Sequence, residues 1–366
     1  MPGAAPPVGD SPAKGRRRRS GRPLLGRWGS NPKLGSNGDG KNFASSSPPT
    51  RGGIGKASVL KTNQEEHVFC VSQLDHANVS GFLAARWGND HFRLPGWETA
   101  QGDVNRLRAE IIFAIAQHDN GWLEWEASPS IDPADGLPHG LFEAAGDEFD
   151  EWQRWRSGVE RFRRLHPFAS LLIAHHAVGL YAARLGEDLP DGHRHTLWWN
   201  QSAPPFAGTA RNRAIDFVAE MERQQQELKA RLNKDSSAST WLAEDCLYPA
   251  VRLLQALDAL SLALCSGVIA DQDGRRVGPG QSRFRLIGVP RRGWDDLVDI
   301  QVSPGSDAFS ADGFSIALSP YPFDTEPLEV TVPAKRFGKD HLPTDDWLSA
   351  WYGQADHPLR FRLVKG

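Results

Sequence analysis

The sequence predicts an α+β protein: a mainly helical bundle followed by a small antiparallel β region. Two observations carry that reading. From about residue 58 to 270, apolar residues recur at helical spacing. From about 280 to 366, short alternating or apolar runs stand between prolines and glycines. The length, 366 residues, gives a prior of about two domains.

The helices follow in order. Ser72 with Asp75 three residues on makes a capping box and starts a helix running to about Trp87. A second opens after Asp103 and sets Val104, Leu107, Ile111, Ile115 and His118 on one stripe. "DEFDEWQRWRSGVERFRRL" (147–165) is amphipathic. Pro167 opens "PFASLLIAHHAVGLYAARLG", with Gly186 as its stop. Residues 187–208 read as a loop, and 211–232 as a long helix with a mostly polar face. The last helix, 241–265, is expected to kink at Pro249. "RFRLIGVP", "LVDIQVSP", "GFSIALSPYPF", "LEVTVPAKRF" and "LRFRLVKG" then supply the strands.

The first 56 residues stand apart. They hold eleven Lys/Arg against two Asp, a charge of +9 inside a chain whose net charge is -3. Rich in Gly, Pro, Ser and Arg, and without apolar period, they read as a disordered tail dispensable for folding. "GRRRRSGRP" is not read as a nucleic-acid arm, because the rest of the chain is acidic and no basic surface interleaved with aromatics follows. It is no signal peptide either, since only "PLLG" follows the arginines. Three cysteines without C-x-x-C exclude a disulfide framework and a thiolate zinc site. No apolar run is read as a membrane span. A cytoplasmic protein acting on a small molecule is the expectation.

The chemistry lies in polar residues at apolar positions. "AIAQHDNGW" (114–122) ends a greasy helical run on a His-Asp doublet, and Asn120-Gly121 is expected to supply a left-handed stop there. His76 shares a stripe with Val79, Leu83 and Trp87 and so faces inward. His175 and His176 sit in a helix apolar nearly all round. The final helix is apolar on every face from Leu253 to Leu264 except at Gln255, Asp258 and Ser261. A buried ionised carboxylate costs several kcal/mol unless paired or metal-bound, and Arg252, the nearest cation on that helix, lies on another face. Singly, each histidine reads most simply as a hydrogen-bonded core residue, and "HRH" (193–195) as solvated. Together, His76, His118-Asp119, a buried histidine and Asp258 on separate helices point to one metal site. Imidazole and carboxylate suit Zn, Fe, Mn or Ni rather than calcium. Thirteen tryptophans, among them Trp122, Trp125, Trp198 and Trp199, read as packing before ligand stacking.

The order His, then His-Asp, then a late helical Asp resembles the HD-domain superfamily of metal-dependent phosphohydrolases. "SQLDHANVSGFLAARWGN", "AIAQHDNGWLEWEASPSIDPADGLP", "LLIAHHAVGLY", "LLQALDALSLALC" and "LSPYPFDTEPLEVTVPAKRF" resemble, more closely, an uncharacterised bacterial family of that general type, across roughly residues 64–366. The resemblance implies an HD-like bundle binding one or two divalent metals through His76, His118, Asp119 and Asp258. It favours His176 over His175 as a further ligand and makes Asp119 the residue on which activity depends. A phosphohydrolase follows, with Arg106, Arg108 or Arg156 as candidate assistants. A di-iron oxygenase recruiting His175, His193 or His195, and a non-catalytic helical module, are the alternatives.

Overall fold

The computed structural model describes residues 59–63, 66–96, 103–127, 131–132, 135–141, 148–186, 205–305, 313–339 and 346–366. "HRH" (193–195), Trp198 and Trp199 and the whole basic segment 1–56 lie outside them. Two strands come first, β1 (Leu60–Asn63) and β2 (His67–Val71). Helices are expected from 58, so these are a correction. Four or five residues are too few to reveal a period; β1 and β2 pair as a hairpin, and β2 is held on its other edge by a strand far along the chain.

Helix α1 (Gln73–Ala85) starts as expected. Ser72 Oγ accepts from the Asp75 amide at 2.9 Å and donates to the Asp75 carboxylate at 2.7 Å. His76, Val79 and Leu83 are buried along one face, and Trp87 is buried just past its end. Helix α2 (Val104–Ala116) is capped by Asp103, whose side chain accepts from Arg106 N. A short 3-10 turn (Asn120–Trp122) and α3 (Leu123–Glu126) follow, then α4 (Glu148–Phe162) and α5 (Pro167–Leu185). Gly186 ends α5 in the left-handed region, at φ 72°. Helix α6 (Gly208–Leu232) begins three residues before the expected start.

Helix α7 (Glu244–Cys265) is the axle of the bundle, with Pro249 inside it. It packs against α1, α2 and α5 on one side and the strand that follows it on the other. In length and composition α7 is long and apolar enough to cross a membrane, which corrects the reading that no run is. Its residues are nevertheless buried in protein nearly all round, Asp258 included.

The strands β3 (Phe284–Gly293), β4 (Asp296–Pro304), β5 (Phe314–Ser319), β6 (Leu328–Val332), β7 (Lys335–Gly338) and β8 (Leu359–Lys365) follow, with α8 (Trp347–Gly353) before the last. Two features correct the picture of one small antiparallel sheet. β7 leaves the others to form a three-stranded antiparallel sheet β1-β2-β7, with His67 opposite Gly338 and Cys70 opposite Lys335. The other five strands order as β3-β4-β5-β8-β6, and β5 pairs with β8 in parallel. The chain returns through α8 to slide β8 between β5 and β6, a crossover that local alternation does not encode.

One apolar core runs through the helices into the five-stranded sheet. A smaller cluster of Val59, Val68, Cys70, Leu137, Phe337 and Trp347 seals the three-stranded sheet. Residues 51–366 cluster as one compact unit.

Candidate metal centre

Four helical segments deliver the site. His76 projects from the second turn of α1, and His118 and Asp119 from the loop that ends α2. His176 comes from the middle of α5 and Asp258 from the middle of α7. All are nearly inaccessible, from 0% for His76 to 6% for Asp119.

The backbone that presents the doublet differs from the expected left-handed stop. Gly121 does not occupy the left-handed region. Instead the Gln117 amide bonds to the Ala114 carbonyl, tightening the last turn. Asn120 N and Nδ2 both donate to the freed Gln117 carbonyl, and Nδ2 also reaches the Gly158 carbonyl of α4. The glycine is needed for space: a Cβ at 121 would lie 1.9 Å from the Arg154 carbonyl oxygen. Asn120 therefore ends the helix and Gly121 docks the turn on α4.

The donor atoms converge. His76 Nε2 and His118 Nε2 are 3.2 Å apart. Asp258 Oδ1 is 3.2 Å from the first and 3.4 Å from the second. On the same histidine pair, Asp119 Oδ2 is 3.3 Å from His76 Nε2 and 3.5 Å from His118 Nε2. His176 Nε2 joins through the other Asp258 oxygen, at 3.4 Å. The expected residues are thus brought together, with His176 one carboxylate away from the His76–His118–Asp258 triangle.

The tautomers are set by the scaffold. A carbonyl only accepts, so His118 Nδ1, 2.8 Å from the Ile115 oxygen, carries a proton. Ser261 Oγ donates to the Asp258 carbonyl at 2.9 Å and so accepts from His76 Nδ1 at 2.7 Å. Ser80 Oγ braces Ser261 at 2.7 Å. In its neutral form each imidazole therefore aims an Nε2 lone pair at the same point. Two lone pairs at that separation repel unless a cation, metal or proton, stands between them. Burial pushes the His118 pKa down, but Asp119 and Asp258 outweigh it and hold it at about 9. His76 is likewise raised against its burial by the hydrogen bonds its ring donates to the Asp119 and Asp258 carboxylates. Burial pushes Asp258 up, yet hydrogen bonds from His118 and His76 hold it well below the usual carboxylate range.

The donor set fits a divalent metal. Bonds of about 2.0–2.1 Å to a tetrahedral ion place ligand atoms about 3.3 Å apart. The His76–His118–Asp258 triangle has that size, and it leaves other coordination positions open. The orientation of each imidazole through its second nitrogen is what metal-binding histidines require.

Other candidates go elsewhere. Arg106 bonds Ser237 and Asp235, Arg108 the Ala85 carbonyl, and Arg156 grips Glu220 with two nitrogens. Trp122 packs edge-on to Trp155, whose ring lies against His176. All three cysteines are buried.

One group escaped the sequence reading. Glu126 on α3 reaches back to the start of α1, where its Oε1 accepts from Gln73 N at 2.5 Å. Burial drives its pKa up to about 8 against those backbone bonds, and Asp119 and Asp75 add to the rise. "LEWE" carries no period to signal this, because the burial comes from a helix end more than fifty residues upstream.

A family model described as "Protein of unknown function (DUF3891)" matches residues 59–339. No curated protein and no solved structure matches the chain.

Proposed function

Because the chain belongs to the DUF3891 family, whose description carries no activity, we propose a function from the site itself: a metal-dependent hydrolase of HD type, acting on a phosphate ester or nucleotide. One observation carries it. The Nε2 atoms of two buried histidines face each other at 3.2 Å, each fixed in its tautomer from behind, with a carboxylate beside them. His76, His118 and Asp258 would hold the ion, with Asp119 against the same histidine pair and His176 bracing the far oxygen of Asp258.

A bound divalent metal supplies Lewis acidity and brings the pKa of water toward neutrality. The chain's own residues do the rest. Ser261 and the Ile115 carbonyl hold the Nδ1 side of both imidazoles and keep each Nε2 aimed at the site. Asp119, the most exposed of the five, is placed to take a proton where the site comes nearest solvent. The surrounding helices exclude bulk water.

The test is elemental analysis of protein purified without a metal-binding tag, followed by a screen of phosphomonoesters, phosphodiesters and nucleotides with the metal found. About one equivalent of Zn, Fe, Mn or Ni with hydrolysis lost in Asp119→Ala supports the reading. Metal-free protein that takes up none of these ions on titration overturns it.

A further inference from the structure

Three polar residues interrupt the apolar stretch Leu253–Leu264 of α7, at spacings of three: Gln255, Asp258 and Ser261. The second faces the histidine pair, and the third orients His76. Residues three apart on a helix are neighbours, and helical side chains lean toward the N-terminus. Gln255 therefore stands one turn before Asp258 on the neighbouring strip of α7, on the flank opposite Ser261.

Gln255 is 0% exposed, and neither its amide oxygen nor its amide nitrogen has a hydrogen-bond partner among the described residues. Burying an amide with every group unmet is among the costlier features a core can carry. Leu at this position would continue the run on either side. The helix spends that stability next to the one carboxylate it also buries.

We propose that Gln255 is the ligand-positioning group of the metal centre, its side-chain N–H groups donating to an oxyanion oxygen of a phosphate-type ligand seated beside Asp258. The inference rests on the metal reading above and adds to it a recognition element. A neutral donor suits the task. The site already carries Asp119 and Asp258, so an oxyanion there needs N–H groups turned toward it, and an amide provides them without adding charge to the core.

Isothermal titration separates the two readings. Wild type and Gln255→Leu are each titrated with Mn2+, and the Mn2+-loaded proteins are then titrated with inorganic phosphate. The expected result is equal Mn2+ stoichiometry and affinity, with phosphate binding weakened about tenfold or more in the variant, the size of a lost hydrogen bond to a charged group. The melting temperature of Gln255→Leu stays level or rises. If loaded wild type binds no phosphate, or the variant binds it within twofold of wild type, the role of Gln255 is overturned and the metal reading stands. If wild type takes up no metal, the reading beneath fails first. Should Gln255→Leu not fold, the Gln255 side-chain amide signals of 15N-labelled, Zn2+-loaded wild type decide: they shift on phosphate saturation, or the proposal is wrong.

Discussion

The hydroxyl of Ser261 on α7 accepts the Nδ1 proton of His76 on α1 at 2.7 Å. One small side chain thereby ties the helix that carries Asp258 to the helix that carries a facing imidazole, and fixes which nitrogen that imidazole offers.

Ser261→Ala removes this fixture without touching a donor atom of the triangle. Loss of such a supporting bond typically weakens metal binding 10–100-fold. Competition titration against a chelating indicator should find at least a tenfold weaker Kd, with the fold intact by circular dichroism. An unchanged Kd would mean that the histidine is held by packing alone.

His118→Ala takes away one corner of the triangle. Metal content by mass spectrometry should fall from about one equivalent to near zero. In the wild-type protein, stripping the ion with EDTA removes ligand-linked stability of about 2.7 kcal/mol at a hundredfold excess over Kd. A drop in Tm of about 4 °C follows. His118→Ala should be insensitive to EDTA, and an equal response in both proteins argues against this site.

Glu126 sets a pH dependence of its own. Its folded pKa, about 8, lies above the ordinary 4.5, so the folded protein holds this proton more tightly than the unfolded chain. The stability it confers is complete below pH 4.5 and is lost as pH rises through 8. Glu126→Gln keeps an oxygen for the Gln73 amide and removes the titration. Urea unfolding at pH 5, 6.5 and 8 should show the variant gaining on wild type at each step. Parallel pH profiles would refute the raised pKa.

Gly121→Ala tests how the doublet is docked. Its Cβ would stand 1.9 Å from a backbone oxygen of α4, so the turn or the helix must move. Overpacking of this kind costs about 1–3 kcal/mol, read as a lower urea midpoint, and weaker metal binding should accompany it because Asp119 rides on the displaced turn. A variant as stable as wild type would show that α4 yields at no cost.

Much of this site is legible in the sequence because it breaks a pattern. His76 stands on an apolar stripe, His118 closes one, and Asp258 sits in a run of leucines; each is visible as a polar residue where the period calls for an apolar one. Ser261 and Gln255 break the same pattern, but nothing local assigns them a partner. The tautomers depend on carbonyls and hydroxyls brought in by folding, and Glu126 depends on a helix terminus distant in sequence. The strands fared worse. The β1–β2 hairpin is too short to show a period and gains its outer neighbour only from β7, and the parallel pairing of β5 with β8 comes from a crossover, so no short window contains the cause.

The pairing of β2 with β7 also orders events at the ribosome. His67 meets Gly338, so the strand leading directly into α1 waits for most of the chain before its outer neighbour exists. At about 5–20 residues per second that wait is on the order of ten seconds or more. Asp258 emerges well before Gly338, so the four helices that carry the site can gather while the sheet that precedes α1 is still open on one side. The last strands then act as a closing seam, and the binding centre is assembled from the inside outward.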